Sequence, residues 1–122
     1  ESFTKKFNIL GIENRIEQIL ANLLDNSVSF SENNQTILVE IGRDEKDNVI
    51  LKVIDQGQGF KEKKLNKIFD RFYSNRPDRF GEHSGLGLNI VKNLVELHGG
   101  TISASNNINQ YGARIEVTFP KI

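Results

Sequence analysis

The sequence predicts a two-layer α+β sandwich, with helices packed on one face of a mixed sheet. Apolar residues recur at three- and four-residue steps in two long stretches, 12–30 and 86–98. Elsewhere they alternate with other side chains in short stretches that come mostly in pairs. The resulting order is strand, helix, strand, strand, short helix, loop, helix, strand, strand. Helices that fall between hairpins, rather than one per strand, argue against a doubly wound sheet, which needs strict alternation.

Taken in order, Phe7-Asn8-Ile9-Leu10 alternates before Gly11 and suits a short strand. From Ile12 to Phe30 the residues Ile12, Ile16, Ile19, Leu20, Leu23, Leu24 and Val28 form the apolar stripe of an amphipathic helix without Gly or Pro. Ser31 to Gln35 is turn chemistry. Ile37, Val39 and Ile41, then Val49, Leu51 and Val53, flank the polar turn 43–47 as a hairpin. Ile50 and Ile54 on the other face of the second strand predict that it is central and covered. A helical piece from Glu62 to Phe69 collects Leu65, Ile68 and Phe69 on one side. Residues 74–84 carry one large apolar side chain, Phe80, and read as a mobile surface loop. Leu86 to His98 forms a second long helix, closed by Gly99 in the C′ position. Thr101–Ser105 and Arg114–Phe119 are the last two strands.

The composition excludes several classes of function. With 16 Lys+Arg against 16 Asp+Glu the formal net charge is zero, which disfavours a protein built to grip nucleic acid or an anionic membrane. There is no Cys, so disulfides, thiolate metal sites and cysteine nucleophiles are all ruled out. Apolar runs fall far short of the ~20 residues needed to span a bilayer, and no signal peptide opens the chain. A chain of 122 residues suffices for one ordinary core, so residues 1–122 are expected to form a single domain. The absence of any Met, together with Glu1 at the start, suggests a piece cut from something longer.

Three constellations carry chemistry. Asn22 and Asn26 stand one turn apart on the first helix, at the edge of the stripe made by Leu23 and Leu24. For two Asn alone, a solvated helix face is the simpler explanation, although Asn is a mediocre helix former. Asp55-Gln56-Gly57-Gln58-Gly59 leaves a strand directly. It is either a turn with Gly at positive φ or a backbone that must approach a ligand, with Asp55 aimed at a donor. Position 62 is Glu, so no dinucleotide fingerprint is present. Gly85-Leu86-Gly87-Leu88 opens the second long helix. Two glycines in a first turn cost about 1 kcal/mol each. Close packing against a strand and an anion site of bare helix-end N–H groups would explain them equally well. No P-loop motif occurs.

In this order and spacing, the Asn-x-x-x-Asn helix, the strand ending in Asp-x-Gly-x-Gly, Phe69 and Phe72, and the loop leading to Gly-x-Gly-x resemble the ATP-binding catalytic domain of sensor histidine kinases. That family shares a superfamily with gyrase, the Hsp90 chaperones and MutL. The resemblance runs from about Phe7 to Pro120 and includes Leu97-His98-Gly99-Gly100 and the closing strand 112–120. It implies the Bergerat-type ATP-binding fold, with ATP and Mg²⁺ as ligands. Asn26 is then expected to coordinate Mg²⁺, with Asn22 helping to hold metal and phosphates. Asp55 is expected to accept a hydrogen bond from the adenine amino group, while Gly57 and Gly59 let the backbone approach the base and Phe30 supplies an aromatic face. Residues 74–84 resemble the ATP lid, with Phe69 and Phe72 as its anchor. Ser84, Gly85, Leu86, Gly87 and Leu88 are expected to wrap the phosphates with main-chain amides. The reaction implied is transfer of the γ-phosphoryl group to a histidine.

Asn22 discriminates within the superfamily. Gyrase-like and Hsp90-like ATPases and anti-sigma-type serine kinases typically carry Glu there, a carboxylate able to act as general base; a neutral amide cannot. A histidine acceptor attacks through a neutral ring nitrogen and needs no such base. The chain also departs from the family. Ser29 replaces a usual basic residue, Phe30 a usual Tyr, Ser74 a frequent Arg, and Ala113-Arg114 lacks the Thr often found beside the adenine Asp. Arg76 and Arg79 are the candidates to supply the missing phosphate-facing charge. The lid start, Phe72-Tyr73-Ser74-Asn75-Arg76-Pro77, resembles the ChvG group of alphaproteobacterial sensor kinases. Neither His83 nor His98 lies in the context of a phosphoacceptor, so the acceptor is expected elsewhere. His98, at a helix end, is expected to cap it.

The expected function is therefore an Mg-ATP-binding catalytic domain of a two-component sensor histidine kinase. It would deliver phosphate to a His on the dimerisation domain of the same kinase and, through that domain, serve a response regulator. The resemblance implies a cytoplasmic domain of an inner-membrane kinase, monomeric as a fragment. The alternatives are a superfamily ATPase, an anti-sigma-like serine kinase module, and a nucleotide-binding domain without catalysis.

Overall fold

The computed structural model describes residues 8–31, 34–57, 59–60, 65–70, 87–106 and 112–122. The elements are α1 (Glu13–Phe30), β1 (Leu38–Arg43), β2 (Val49–Ile54), a 3-10 helix (Leu65–Phe69), α2 (Gly87–Leu97), β3 (Thr101–Asn106) and β4 (Ala113–Phe119). The fold class is the expected α+β sandwich. Two expectations need correction. Asn8, Ile9 and Leu10 form no strand, since Ile9 and Leu10 are both apolar and break the alternation; Phe7, the first residue of that expected strand, lies outside the described residues. The sheet, in the order β1-β2-β4-β3, is antiparallel at every described ladder rather than mixed. β2 and β3 do run in the same direction, but β4 is inserted between them.

β4 alternates fully, with Ala113, Ile115, Val117 and Phe119 buried, as a central strand with one face on the core requires. β2 is central as expected. Its core face buries Val49 and Val53, but Ile50 and Ile54 on the other face are only half-buried, because both helices lie on one side of the sheet. α1 packs on β2, and α2 packs on α1, β3 and the 3-10 helix. β1 is an edge strand, and Val39 and Ile41 on its core-side face stay exposed. The β1–β2 turn is built on Asp44, whose Oδ1 accepts the Lys46 and Asn48 N–H groups at 2.9 Å each. Burial works against the Asp44 charge, but these bonds and that from the Asn48 side chain outweigh it and lower its pKa.

In α1 the buried residues are Ile19, Leu23, Asn26 and Ser27, at steps of four, three and one. The core stripe thus continues from apolar into polar residues, while Val28, counted into the stripe from sequence, is exposed. The end of the helix is satisfied by hydroxyls: Ser29 Oγ donates to the Asn26 carbonyl and Ser31 Oγ to the Ser27 carbonyl, both at 2.8 Å. α2 ends as predicted at Gly99, which has φ +74°. Gly100 N–H donates to Val95 O and Gly99 N–H to Glu96 O, a Schellman motif. His98 goes beyond capping. Its Nδ1 lies 2.7 Å from Leu94 O and its Nε2 accepts the Ile12 N–H at 3.1 Å, which joins the end of α2 to the start of α1.

Candidate functional site

Asn26 is 4% exposed and half-buried Asn22 lies one turn before it. A solvated face therefore does not explain Asn26, which occupies a core position three residues after Leu23. Burying an amide where an apolar side chain would pack costs free energy unless its polar atoms are partnered. Asn22 Nδ2 reaches the Gly87 carbonyl at the start of α2, a long contact of 3.5 Å. The amide face of α1 and the glycine start of α2 therefore meet. A Cβ built on Gly87 touches no described atom within 4 Å, so close packing against the described strands does not account for this glycine, and a bare helix-end N–H remains the other explanation for it. Leu88 is buried in the core and has only its main chain to offer a ligand.

Asp55, 2% exposed, stands at the exit of β2. Its Oδ1 accepts the Gly57 N–H at 2.9 Å and the Ala113 N–H at 3.1 Å, so the carboxyl is oriented by the turn behind it and by the neighbouring strand β4. Burial raises its pKa above 3.8, and the two backbone N–H bonds only partly offset that. Ala113 thus meets Asp55 directly through its backbone.

Gly59 has φ +79°, and a Cβ there would lie 2.8 Å from Asn106 Oδ1. The reason is a contact that sequence reasoning missed. Asn106 Oδ1 accepts the Phe60 N–H at 2.7 Å and its Nδ2 donates to the Phe60 carbonyl at 2.9 Å, which ties the end of β3 to the glycine loop. An Asn in a polar strand end gives no local sign of a partner 46 residues away. Gly57 is buried beside Asp55. Phe69 is buried among core residues rather than lining an open surface.

The site residues fall into two groups: Asn22, Asn26, Gly87 and Leu88 on the helices, and Asp55, Gly57 and Gly59 at the exit of β2. Ser84, Gly85, Leu86, Phe72, the expected lid 74–84 with Ser74, Arg76 and Arg79, and His83 lie outside the described residues, as does the side chain of Phe30. Among the described residues no group of three or more His, Cys, Asp or Glu could hold a metal. The amide oxygens of Asn26 and Asn22 are hard donors of the kind that Mg²⁺ accepts.

Residues 11–122 match the family described as histidine kinase-, DNA gyrase B- and HSP90-like ATPase. The chain belongs to that family, and its relatives there are sensor histidine kinases. It is 40% identical over 121 residues to the sensor protein ChvG of Agrobacterium fabrum, covering 93% of this chain and 20% of the relative. Against the sensor protein KdpD of Clostridium acetobutylicum it is 43% identical over 108 residues, 87% of this chain and 12% of the relative. Among solved structures, a mycobacterial sensor histidine kinase, MprB, superposes with TM-score 0.83 at 27% identity, over 92% of this chain and 76% of that one. Full-length ShkA in complex with AMPPNP superposes with TM-score 0.76 at 29% identity, over 92% of this chain and 22% of that one. The chain thus spans about a fifth or less of the length of these two curated relatives. No described helix is long and apolar enough to cross a membrane.

Proposed function

We propose that residues 1–122 form a single catalytic domain that binds Mg-ATP and transfers its γ-phosphoryl group to a histidine on the dimerisation domain of the same kinase. The observation that carries this reading is the contact of Asn22 with the Gly87 carbonyl, which brings the two-amide face of α1 to the glycine start of α2. Buried Asp55, held from behind by Gly57 and Ala113, accepts the adenine amino group, and Gly57 and Gly59 admit the base. Main-chain N–H groups from Ser84 to Leu88 receive the phosphates, as a helix start does. Asn26, with Asn22 beside it, would hold Mg²⁺, which when bound neutralises charge on the phosphates.

In the transfer, a bond forms between an imidazole nitrogen of the acceptor and the γ-phosphorus, the bond to the β-phosphate oxygen breaks, and ADP leaves. Asn22 is neutral and takes no proton; the chain's own part is to orient ATP and exclude competing geometries. The domain would serve as the cytoplasmic part of a membrane-bound sensor kinase, passing phosphate through the dimerisation domain to a response regulator, and the ChvG relatives make that group the first to compare.

The test mixes the chain with a dimerisation domain carrying the acceptor histidine and with labelled ATP. Acid-labile, base-stable phosphohistidine is the expected product. Phosphoserine on a partner, or ATP binding without transfer, would overturn the reading. Calorimetry with and without Mg²⁺ isolates the metal's share.

A further inference from the structure

We propose that Asn89 is a positioning residue for the phosphate end of the site, an inference that rests on the nucleotide reading above. Asn89 lies in the first turn of α2, two residues after Gly87, and its Nδ2 donates to the carbonyl of Phe69 at 3.0 Å. Phe69 is the last residue of the 3-10 helix, where a carbonyl has no partner within its own helix. Asn93, one turn further along α2, donates to Asn89 Oδ1 at 3.4 Å, and this defines which end of the Asn89 amide faces Phe69.

Two amide donors therefore converge on the start of α2. Asn22 meets Gly87 from the α1 side, and Asn89 fastens the same turn to the 3-10 helix. Gly87 belongs to the proposed phosphate end and Phe69 is the expected anchor of the lid beside it, and neither could hold its place against the other through its own side chain. Phe69 is turned into the core, and Gly87 has no side chain. Asn89 fixes their spacing without touching nucleotide. Half-buried Asn89 would be an unremarkable polar residue on α2 but for this bond.

Asn89→Leu keeps the size and removes the donor, and Leu favours a helix more than Asn does, so a loss cannot come from helix propensity; Asn89→Gln keeps the amide. Binding of ATP and of adenosine to each purified variant is followed by NMR titration. Adenosine reaches the Asp55 end of the site and lacks phosphates. Asn89→Leu is expected to weaken ATP about two- to tenfold, the effect of one net hydrogen bond, with adenosine affinity unchanged. Asn89→Gln is expected to recover most of the loss. An unchanged ratio of ATP to adenosine affinity in Asn89→Leu overturns the positioning role, whether neither ligand is weakened or both fall together. Failure of the wild-type chain to bind ATP overturns the nucleotide reading, and this role with it.

Discussion

Asp55 and Ala113 hold each other through two hydrogen bonds. The Ala113 N–H donates to Asp55 Oδ1 at 3.1 Å, and the Asp55 N–H donates to the Ala113 carbonyl at 3.0 Å. The same Oδ1 also accepts the Gly57 N–H. Asp55, the proposed adenine contact, is thus also a junction between β2, β4 and the glycine loop. Stability and recognition can be separated at this position. Asp55→Asn keeps an oxygen for both N–H groups, so its stability is expected to stay within about 1 kcal/mol of wild type. On the proposed reading it presents an NH₂ donor where the adenine amino group would need an acceptor, and ATP affinity is expected to fall at least about tenfold. Asp55→Ala strands two buried donors and is expected to cost about 2–4 kcal/mol. Urea melts and calorimetry on the pair check this; equal ATP affinity in Asp55→Asn would remove Asp55 from the base site.

Burial raises the Asp55 pKa above 3.8, and this has a consequence for stability. Below the ordinary value both folded and unfolded chains carry the proton, and the group adds no pH dependence. Between that value and the raised native one, the native state holds a proton that the unfolded state has released. Stability must therefore fall as pH rises through that window, and the loss is complete above the native pKa. Asp55→Asn has no such slope. The stability of wild type minus that of Asp55→Asn, from urea melts at stepped pH starting near 3.5, is expected to decline as pH rises. A flat or rising difference would mean that the backbone hydrogen bonds outweigh burial.

Two of the three described glycines of the expected site, Gly59 and Gly87, are predicted to respond oppositely to alanine. At Gly59 both the positive φ and the closeness of Asn106 Oδ1, 2.8 Å from a built Cβ, oppose a side chain. Gly59→Ala is expected to lose about 2–3 kcal/mol. At Gly87 no described atom stands in the way and φ is not left-handed, so Gly87→Ala is expected to gain up to about 1 kcal/mol from helix propensity. If bare N–H groups receive phosphate there, the stabilised variant binds ATP more weakly. Thermal melts and calorimetry read both effects, and a Gly87→Ala variant with full ATP affinity would count against phosphate contact at this residue.

The periodic elements were legible in the sequence, whereas features set by distant partners were not. Leu88, Val91 and Val95 predicted α2, and Gly99 its end, because helix period and C-capping are local rules. Asp55 alone fitted an ordinary turn equally well, and it was legible as a candidate only through the order and spacing of the motifs around it. The insertion of β4 between β2 and β3 was not, since its register pairs Leu51 with Val117 across 66 residues that carry no mark of the pairing. Within α1 the hydrophobic stripe misjudged which side chains go inside. Asn26 is buried and Val28 exposed, so burial there follows the angular position of the residue rather than its polarity. The contacts of Asn106 with Phe60 and of Asn89 with Phe69 escape any local rule, because each is one side chain bonding to a remote backbone.

His98 was expected only to cap its helix, and its second bond predicts a larger effect. Nδ1 faces the Leu94 carbonyl at 2.7 Å, which requires the proton on Nδ1 and leaves Nε2 as the acceptor for the Ile12 N–H at 3.1 Å. Ile12 is the N-cap of α1 and makes no side-chain cap of its own. The imidazole therefore links the ends of two helices that also pack on each other. His98→Ala removes both bonds and is expected to destabilise the domain by about 1–3 kcal/mol. Because the link lies at the start of α1, amide hydrogen exchange is expected to quicken most at residues 12–16, with little change near Asn26 and in ATP affinity. Loss of protection spread evenly along α1, or confined to the end of α2, would show that His98 serves as a cap and nothing more.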